Sequence, residues 1–311
     1  MNPARILLTG ASGFVAGHLI PRLRTAFPAA ELTLCGEGLV PLDITDPAAV
    51  QALVARVQPD ACIHLAAIAA IAAARDNAAL AWQVNLHGTI ALAAALRAGV
   101  PDCVLVFASS ADIYGASFRA GIAVDEATTP APLNTYAATK AAADLALGAM
   151  AAEGLRVIRL RPFNHTGAGQ TPGFAVPAFA RQVARIAAGL QEPVLRVGAL
   201  DPQRDFLDVR DVCAAYIAAI THADHLEPGT ILNIASGIPR RIGDVLADLM
   251  RLAGISARIE TDIARLRPTD IATAQGNAHR ARVSLGWAPT IPWGTTLADV
   301  LADWRVRVAA E

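Results

Sequence analysis

Tyr136 and Lys140, in the run TYAATK, stand four residues apart at the start of an alanine-rich segment. On a helix that spacing puts both side chains on one face. A phenol ionises near pH ~10, too high for easy proton exchange at neutrality, and a fixed ammonium one turn away stabilises the phenolate. Such a pair is frequent by accident, so its meaning depends on what the chain brings near it. One companion is the run CVLVFASSADIYG, where Ser109 and Ser110 close an apolar stretch. A hydroxyl at the carboxyl edge of a parallel strand can hold the substrate oxygen that the phenol protonates; two serines there also serve an ordinary turn. Another is GASGFVAG at residues 10–17, directly after ARILLT. There the backbone around Gly10, Ser12, Gly13, Phe14 and Val15 can approach a pyrophosphate, with the partial positive charge of a helix N-terminus behind it. Together these are the parts for binding a dinucleotide beside hydroxyls that can hold a substrate oxygen and exchange a proton with it.

Such parts need a frame that brings strand ends to one edge. Apolar runs of four to eight residues (ARILLTG, ELTLCG, VPLD, DACIHLAA, CVLVFASS, LRVIRLRP) alternate with long alanine-rich helical segments, and several are hydrophobic on both parities. This pattern predicts an α/β fold with a doubly wound parallel sheet of the Rossmann type, covered on both faces. The regularity loosens after Arg161. Turn-rich sequence (HTGAGQTPG), a helix over 174–190 and further helices near 242–253 and 297–308 predict a smaller, interleaved α/β substrate lobe. The expected division is 1–162 and 203–235 for the dinucleotide, 163–202 and 236–311 for the substrate.

Within the glycine turn, Ala16 occupies the place where a third glycine is common, so the helix must tolerate a methyl group against the strand. The acid expected about 20 residues on, which would bond the adenosine ribose, has no clear occupant. Glu37 in ELTLCGEG either reaches the ribose or is solvated, and NAD versus NADP stays open. Asp43, beside Ile44 in PLDITD, is placed to bond the adenine amine at the end of a third strand, while Asp46 caps the helix that starts near Pro47.

Composition narrows the partners. With a net charge of -1, 54% hydrophobic and 17% charged residues, the chain offers no basic face to a nucleic acid, and an anionic ligand must be held by a few local arginines. Cys35, Cys62, Cys103 and Cys213 lie far apart without a CxxC pair, which predicts free thiols, and the histidines show no metal-ligand spacing, so no metal is expected. The longest apolar runs fall short of the ~20 residues of a membrane span. The opening MNPARILLTGASG enters a strand and turn at once, and a cytoplasmic location is the expectation.

The order of glycine turn, strand-end serines and TYAATK, joined by HLAA at 64–67, WQVNLHGT around Asn85 and RPFN at 161–164, resembles the extended short-chain dehydrogenase/reductase family over nearly the whole chain. Its members are sugar-nucleotide epimerases, dehydratases and reductases. The resemblance implies Ser110, four residues before the tyrosine of the YG pair, as the catalytic hydroxyl, Tyr136 as acid or base, and Lys140 as its partner and a ligand of the nicotinamide ribose. It also implies a cofactor site that adds Leu65, Ala66, Ala67, Asn85 and Pro162 to the glycine turn, Asp43 and Ile44. RPFNHTGAGQTPGF, VGALDPQRDFLDVRDV and LRPTDI are more narrowly similar to the reductases and dehydratases of GDP-mannose metabolism, above all to those that reduce a GDP-4-keto-6-deoxy-hexose. That implies a GDP-sugar substrate, with Asn164 at the diphosphate or sugar and Arg181, Arg204 and Arg267 at phosphate or guanine-nucleotide oxygens, a task for which the arginine fork is suited.

The shared triad does not separate reductase from dehydratase or epimerase. Dehydratases of this family generally carry a glutamate where this chain has Asp112, one methylene shorter, which disfavours elimination without excluding it. The expectation is therefore reduction of a 4-keto group by NAD(P)H, with Asp112 orienting the sugar; dehydratase and 4-epimerase are the alternatives, and an idle dinucleotide-binding protein the remote one. Ile68, Ala69, Ala70 and Ile71 replace polar residues frequent in the family and predict a drier sugar pocket. His165, next to Asn164, either lines the pocket or satisfies backbone bonds, the second being the expectation. Alanine on several faces of the helices near 78–98 and 136–152 predicts a homodimer through a four-helix bundle, as in the enzymes the chain resembles.

Overall fold

The computed structural model describes residues 1–263 and 271–311. The first half runs β1 (Arg5–Thr9), α1 (Phe14–Ala26), β2 (Glu31–Cys35), α2 (Pro47–Val57), β3 (Ala61–His64), α3 (Ile71–Asp76), α4 (Ala78–Trp82), α5 (Thr89–Gly99), β4 (Val104–Ala108), α6 (Thr135–Ala152) and β5 (Val157–Pro162). The second runs β6 (Asn164–Thr166), α7 (Ala175–Ala187), β7 (Val194–Val197), β8 (Gln203–Asp208), α8 (Val209–Thr221), β9 (Thr230–Ile234), β10 (Pro239–Arg241), α9 (Ile242–Ala253), β11 (Arg258–Thr261), β12 (Thr273–Ala274), α10 (His279–Leu285) and α11 (Trp293–Ala309).

Among the described residues, six parallel strands form the main sheet in the order β2-β1-β3-β4-β5-β9. Strand periodicity explains its two cores. Ile6, Leu8, Ile63 and Val106 point to one face, packing with Leu19 and Leu23 of α1 and Tyr216 of α8. Leu7, Cys62, Leu105 and Phe107 point to the other, packing with Leu53 of α2, Leu92 and Leu96 of α5 and Leu147 of α6. Runs apolar on both parities thus become strands covered on both sides.

Two strand expectations change. VPLD is no strand: only Val40 forms a bridge, to Cys35, and its N–H donates to Leu34 O to close a short loop. Pro41 follows without an N–H to continue a ladder. Asp43 therefore sits in a turn, exposed, accepting from Thr45 N (2.9 Å) and Thr45 Oγ1 (2.7 Å). The sixth strand is β9, TILNI, against β5. Asp46 caps α2 through Ala48 N and Ala49 N as expected.

The helix predicted over 174–190 is α7, that over 242–253 is α9, and that over 297–308 is α11, which starts a turn earlier. They share a third core with Val183, Leu246, Leu297 and Trp304. Beside it lies the small sheet β10-β8-β12, with β6 pairing parallel to β8; β7 and β11 form a separate pair. β8, at the start of the stretch 203–235, is central to the small sheet, whereas α8 and β9 return to the large one.

α4 and α5 join through a π-helical stretch, Gln83–Gly88, into one 22-residue helix that is long and apolar enough by length and composition to cross a membrane. It packs on α2 and α6, and the buried Asn85 and Thr89 are turned into the protein. All four cysteines are free and buried.

Candidate active site

α6 begins where Asn134 accepts from Ala137 N (2.9 Å), and its first turn presents Tyr136 and, one turn on, Lys140. β4 ends beside it. Ser109 donates to Asp144 Oδ2 (2.6 Å), within a buried group in which the same carboxylate takes bonds from Arg159 and Arg161. Burial opposes ionisation there, but the bonds from Arg161 and Ser109 and the charge of Arg159 outweigh it and hold the Asp144 carboxyl below its ordinary value. Ser110 is turned the other way. Its Oγ accepts from Asp112 N (3.1 Å) and lies close enough to the Tyr136 phenol to favour its ionised form.

Tyr136 is pushed well above its ordinary pKa, first by burial and then by the Asp112 carboxylate, with the Ser110 hydroxyl acting in the opposite sense. Lys140, 3% exposed, places its ammonium 4.2 Å from the centre of the Phe107 ring. Burial brings it down to about 7, against the pull of Asp144. The lowering of the tyrosine anticipated from Lys140 thus gives way here to burial and Asp112, which keep the phenol protonated. A protonated phenol is the form needed to donate to an oxygen that is gaining negative charge.

A chain of buried hydrogen bonds ties the catalytic helix to the strand ends. Thr139 Oγ1 donates to Tyr136 O (2.8 Å) and accepts from Asn85 Nδ2 (3.0 Å). Asn85, fully buried in the π-helical stretch, also accepts from Ile68 N (2.8 Å) and donates to Ile68 O (3.2 Å), clamping the loop after β3. Thr89 Oγ1 donates to Asn85 O (2.8 Å), so it must accept from His64 Nε2 (2.9 Å), which leaves Nδ1 to accept from Thr9 Oγ1 (2.7 Å). His64 is therefore neutral with its proton on Nε2, in keeping with burial and the Lys140 charge lowering it to about 3. A π insertion lets one residue of an otherwise regular helix turn inward, and such insertions concentrate at working sites. Asn85, expected at the cofactor, has its side-chain amide committed to this clamp.

The glycine turn forms a cradle that a side chain would fill. Gly10 has φ +71, and a Cβ there would lie 2.6 Å from Ala66 N and 2.8 Å from Leu65 C, so the turn and HLAA backbones touch. Gly13 starts α1, whose first turn has no side-chain cap and no acidic residue, leaving N–H groups for an anion. Ala16 is fully buried and Gly17 meets nothing within 4 Å, so the close helix contact does accept a methyl group. Ile44 packs over Gly88, and Pro162 is the buried last residue of β5. These residues fit the diphosphate and adenosine of a dinucleotide, which supplies hydride chemistry when bound.

A cavity of about 490 Å³ is lined by Asn164, Thr166 and Gln170, the first turn of α7, and Arg204 and Phe206 of β8, with Ala72 and Arg75 of α3 opposite. Ser110, Tyr136 and Lys140 are outside this lining; the connection is that β5, which leads to Asn164, neighbours β4, and that α3 packs on α6. The cavity's described lining holds two arginines and no carboxylate. Arg204 donates to Gln203 O (2.7 Å) and Ile271 O (3.3 Å) at its wall. His165 lines the cavity too, with Nδ1 2.9 Å from Phe163 O.

Arg181 is not brought there. It pairs with Glu311 (3.1 Å) and lies over the Trp304 ring, because α7 turns that face toward α11. Arg267 lies outside the described residues. Arg75, not singled out from the sequence, lines the cavity with a side chain 75% exposed and, among the described residues, paired only to neighbouring Asp76. Its one signal is a lone cation in the alanine run after HLAA.

Comparison with known proteins agrees with this geometry. The model of the NAD dependent epimerase/dehydratase family matches residues 6–235. The chain is 37% identical to GDP-6-deoxy-D-mannose reductase of Pseudomonas aeruginosa over 99% of both chains, and 28% identical to GDP-6-deoxy-D-talose 4-dehydrogenase of Aggregatibacter actinomycetemcomitans over 91% of both. The solved structure of RMD from Pseudomonas aeruginosa complexed with NADPH superimposes with a TM-score of 0.86 at 35% identity, covering 98% of this chain and 99% of that one. A match across most of the sheet-forming sequence, a relative similar end to end and a shared fold lead to one conclusion: the chain belongs to the NAD dependent epimerase/dehydratase family.

Proposed function

We propose that this chain reduces the 4-keto group of a GDP-4-keto-6-deoxy-hexose to an alcohol, using NAD(P)H. The observation that carries the reading is the Ser110 hydroxyl set beside the buried Tyr136 phenol at the carboxyl edge of β4, with burial and Asp112 keeping the phenol protonated. The cavity with two arginines and no carboxylate in its described lining suits a sugar diphosphate, and the similarity to a GDP-6-deoxy-D-mannose reductase favours the guanine nucleotide. Bound NAD(P)H supplies the hydride that the carbonyl carbon receives. Ser110 holds the carbonyl oxygen, and Tyr136 gives it a proton as the double bond becomes a C–OH. Lys140 holds the nicotinamide ribose and offsets the phenolate left on Tyr136 until solvent returns the proton. Asn164, Arg204 and, by resemblance, Arg267 hold the diphosphate and nucleoside, and Asp112 orients the sugar.

One observation keeps a second reading in view. The charge of Asp112 reaches Tyr136, as a dehydratase's acid would. On our reading the segments 1–162 and 203–235 chiefly serve the coenzyme and the remainder the sugar, with Asp112 and the β8 residue Arg204 reaching the sugar nucleotide from the first group. The exposed Leu145 on α6 and Leu80 on α4 fit a homodimer through these helices, and four free cysteines suit a reducing cytoplasm.

The test is loss of absorbance at 340 nm with NADH or NADPH and GDP-4-keto-6-deoxymannose, with Tyr136→Phe as control. Oxidation that needs both sugar and phenol supports reduction. Conversion of GDP-mannose to the keto sugar, without net coenzyme change, would overturn it in favour of elimination.

A further inference from the structure

We infer that Arg240 is a further substrate-binding residue: with Arg204 it grips a phosphate at the nucleoside end of the sugar nucleotide, and so sets affinity without touching the reacting carbon. The inference rests on the reading of the cavity as a sugar-nucleotide site.

Pro202, just before β8, and Arg204 and Phe206 within it all line that cavity, so alternate residues mark one face of the small sheet as its wall. Asp205, between them, turns to the other face, where its carboxylate accepts from Ser236 N (2.8 Å), Gly237 N (2.9 Å) and Gly276 N (3.2 Å). β10 runs antiparallel to β8, with Arg240 directly opposite Arg204. Residues opposite each other in such a pair project from the same face, with Cβ atoms about 5 Å apart. Arg240 therefore stands on the cavity side. The aromatic residues agree: its guanidinium carbon lies 5.1 Å from the centre of the Trp293 ring, and Trp293 stacks on the cavity residue Phe206 at 5.4 Å.

Like charges facing each other across a ladder repel, and an anion between them reverses the sign. Among the described residues the chain supplies Arg240 with no such anion. Its Nη1 donates to Ile238 O (3.0 Å), and it has no ion pair with any of them. Arg241, on the opposite face, shows the contrast, pairing with Asp201 (2.6 Å) and Asp244 (3.5 Å). The fields of Asp205 and Asp248 reach Arg240, but Asp205 is engaged on the far face and Asp248 with Arg251, and burial holds Arg240 below its ordinary value all the same. A half-buried guanidinium without a carboxylate, set beside a second guanidinium, suits a phosphate, which each fork can bind through two N–H donors. Asn164 pairs with Phe206, two residues along β8 and about 7 Å from the level of Arg240. Since β5 delivers Asn164 from the catalytic edge, Arg240 lies toward the nucleoside end.

Titration calorimetry of the purified chain with GDP, without coenzyme, tests this, with steady-state kinetics as a second readout. Arg240→Met keeps an aliphatic stem over Trp293 and removes the charge. It should weaken GDP about tenfold, the order for one lost charge-assisted contact, raise KM for the sugar nucleotide alike, and leave kcat and NAD(P)H affinity unchanged. Arg240→Lys, which keeps the charge but not the fork, should fall between. GDP affinity within about twofold of the parent in the methionine variant overturns the inference, as does a loss confined to kcat and thermal stability, the mark of a residue that only packs on Trp293. Should the methionine variant fail to fold, the lysine variant carries the test, and parental GDP affinity there overturns the inference. A parent that binds UDP in place of GDP, with the loss transferred to UDP, would correct the guanine reading and leave Arg240 in its role. A parent that binds no nucleoside diphosphate overturns both.

Discussion

At pH 7 the Lys140 ammonium is charged in the unfolded chain, where it titrates near 10.5, whereas burial draws it down to about 7 in the fold. Between those values the unfolded chain binds the proton more strongly, so the burden on stability is full below pH 7 and fades as pH rises toward 10.5. The difference of about 3.5 units corresponds to roughly 3–5 kcal/mol at pH 7. Methionine is similar in length, carries no charge to desolvate and adapts to irregular slots. Lys140→Met should therefore fold more stably than the parent at pH 7 while losing turnover, a trade of stability against activity at a working site. Its advantage should shrink by about 2 kcal/mol between pH 7 and pH 9 as the parent sheds its proton. Urea unfolding of both proteins at pH 6, 7 and 9, followed by circular dichroism, measures this. A variant no more stable than the parent at pH 7, or an advantage that does not change with pH, would refute the reasoning.

Asn85→Ala removes three side-chain bonds that hold the Ile68 loop to α6, and should lower kcat by about a hundredfold through misplacement of Tyr136; steady-state kinetics with coenzyme in excess checks it. Arg75→Ala should raise KM for the sugar nucleotide about tenfold and leave NADH affinity unchanged, since Arg75 lines the same cavity as Arg204 and is outside the glycine turn; GDP titration separates the two. His64, lowered to about 3 from 6.5, stays neutral in the fold while the unfolded chain protonates. Its contribution is present above pH 6.5 and is lost as pH falls toward 3, by up to about 1.4 kcal/mol per unit. A His64 ring resonance that titrates between pH 5 and 8 would contradict this.

The pair Tyr136 and Lys140 is legible in sequence because helical spacing is local, and β1, β3, β4 and β5 are legible because strands covered twice are apolar on both parities. What escapes depends on partners distant in the chain. VPLD is as apolar as a strand, yet Val40 closes a loop and Pro41 cannot extend a ladder. TILNI carries the buried Asn233, which breaks its pattern until Tyr114 donates to it (2.7 Å) from 119 residues away. Helix periodicity puts Arg181 on α7 but not opposite α11, which arrives more than a hundred residues later. Asn85 stands out by motif, whereas the π register that turns it inward is set by what it clamps.

The small sheet also bears on how the chain is made. Its strands come from 164–166, 203–208, 239–241 and 273–274, with β8 at their centre, whereas the large sheet is complete once β9 ends at residue 234. α11, which completes the third core, ends at residue 309. At synthesis rates of about 5–20 residues per second, that interval lasts roughly 4–15 s. A growing chain therefore carries its glycine cradle and all six strands of the parallel sheet seconds before β8 gains its last neighbour, β12, and the third core its last helix, α11. Coenzyme that binds the cradle in that window would, by mass action, favour the folded sheet before Leu285 and Trp287 arrive to complete the core on its α1 and α8 face.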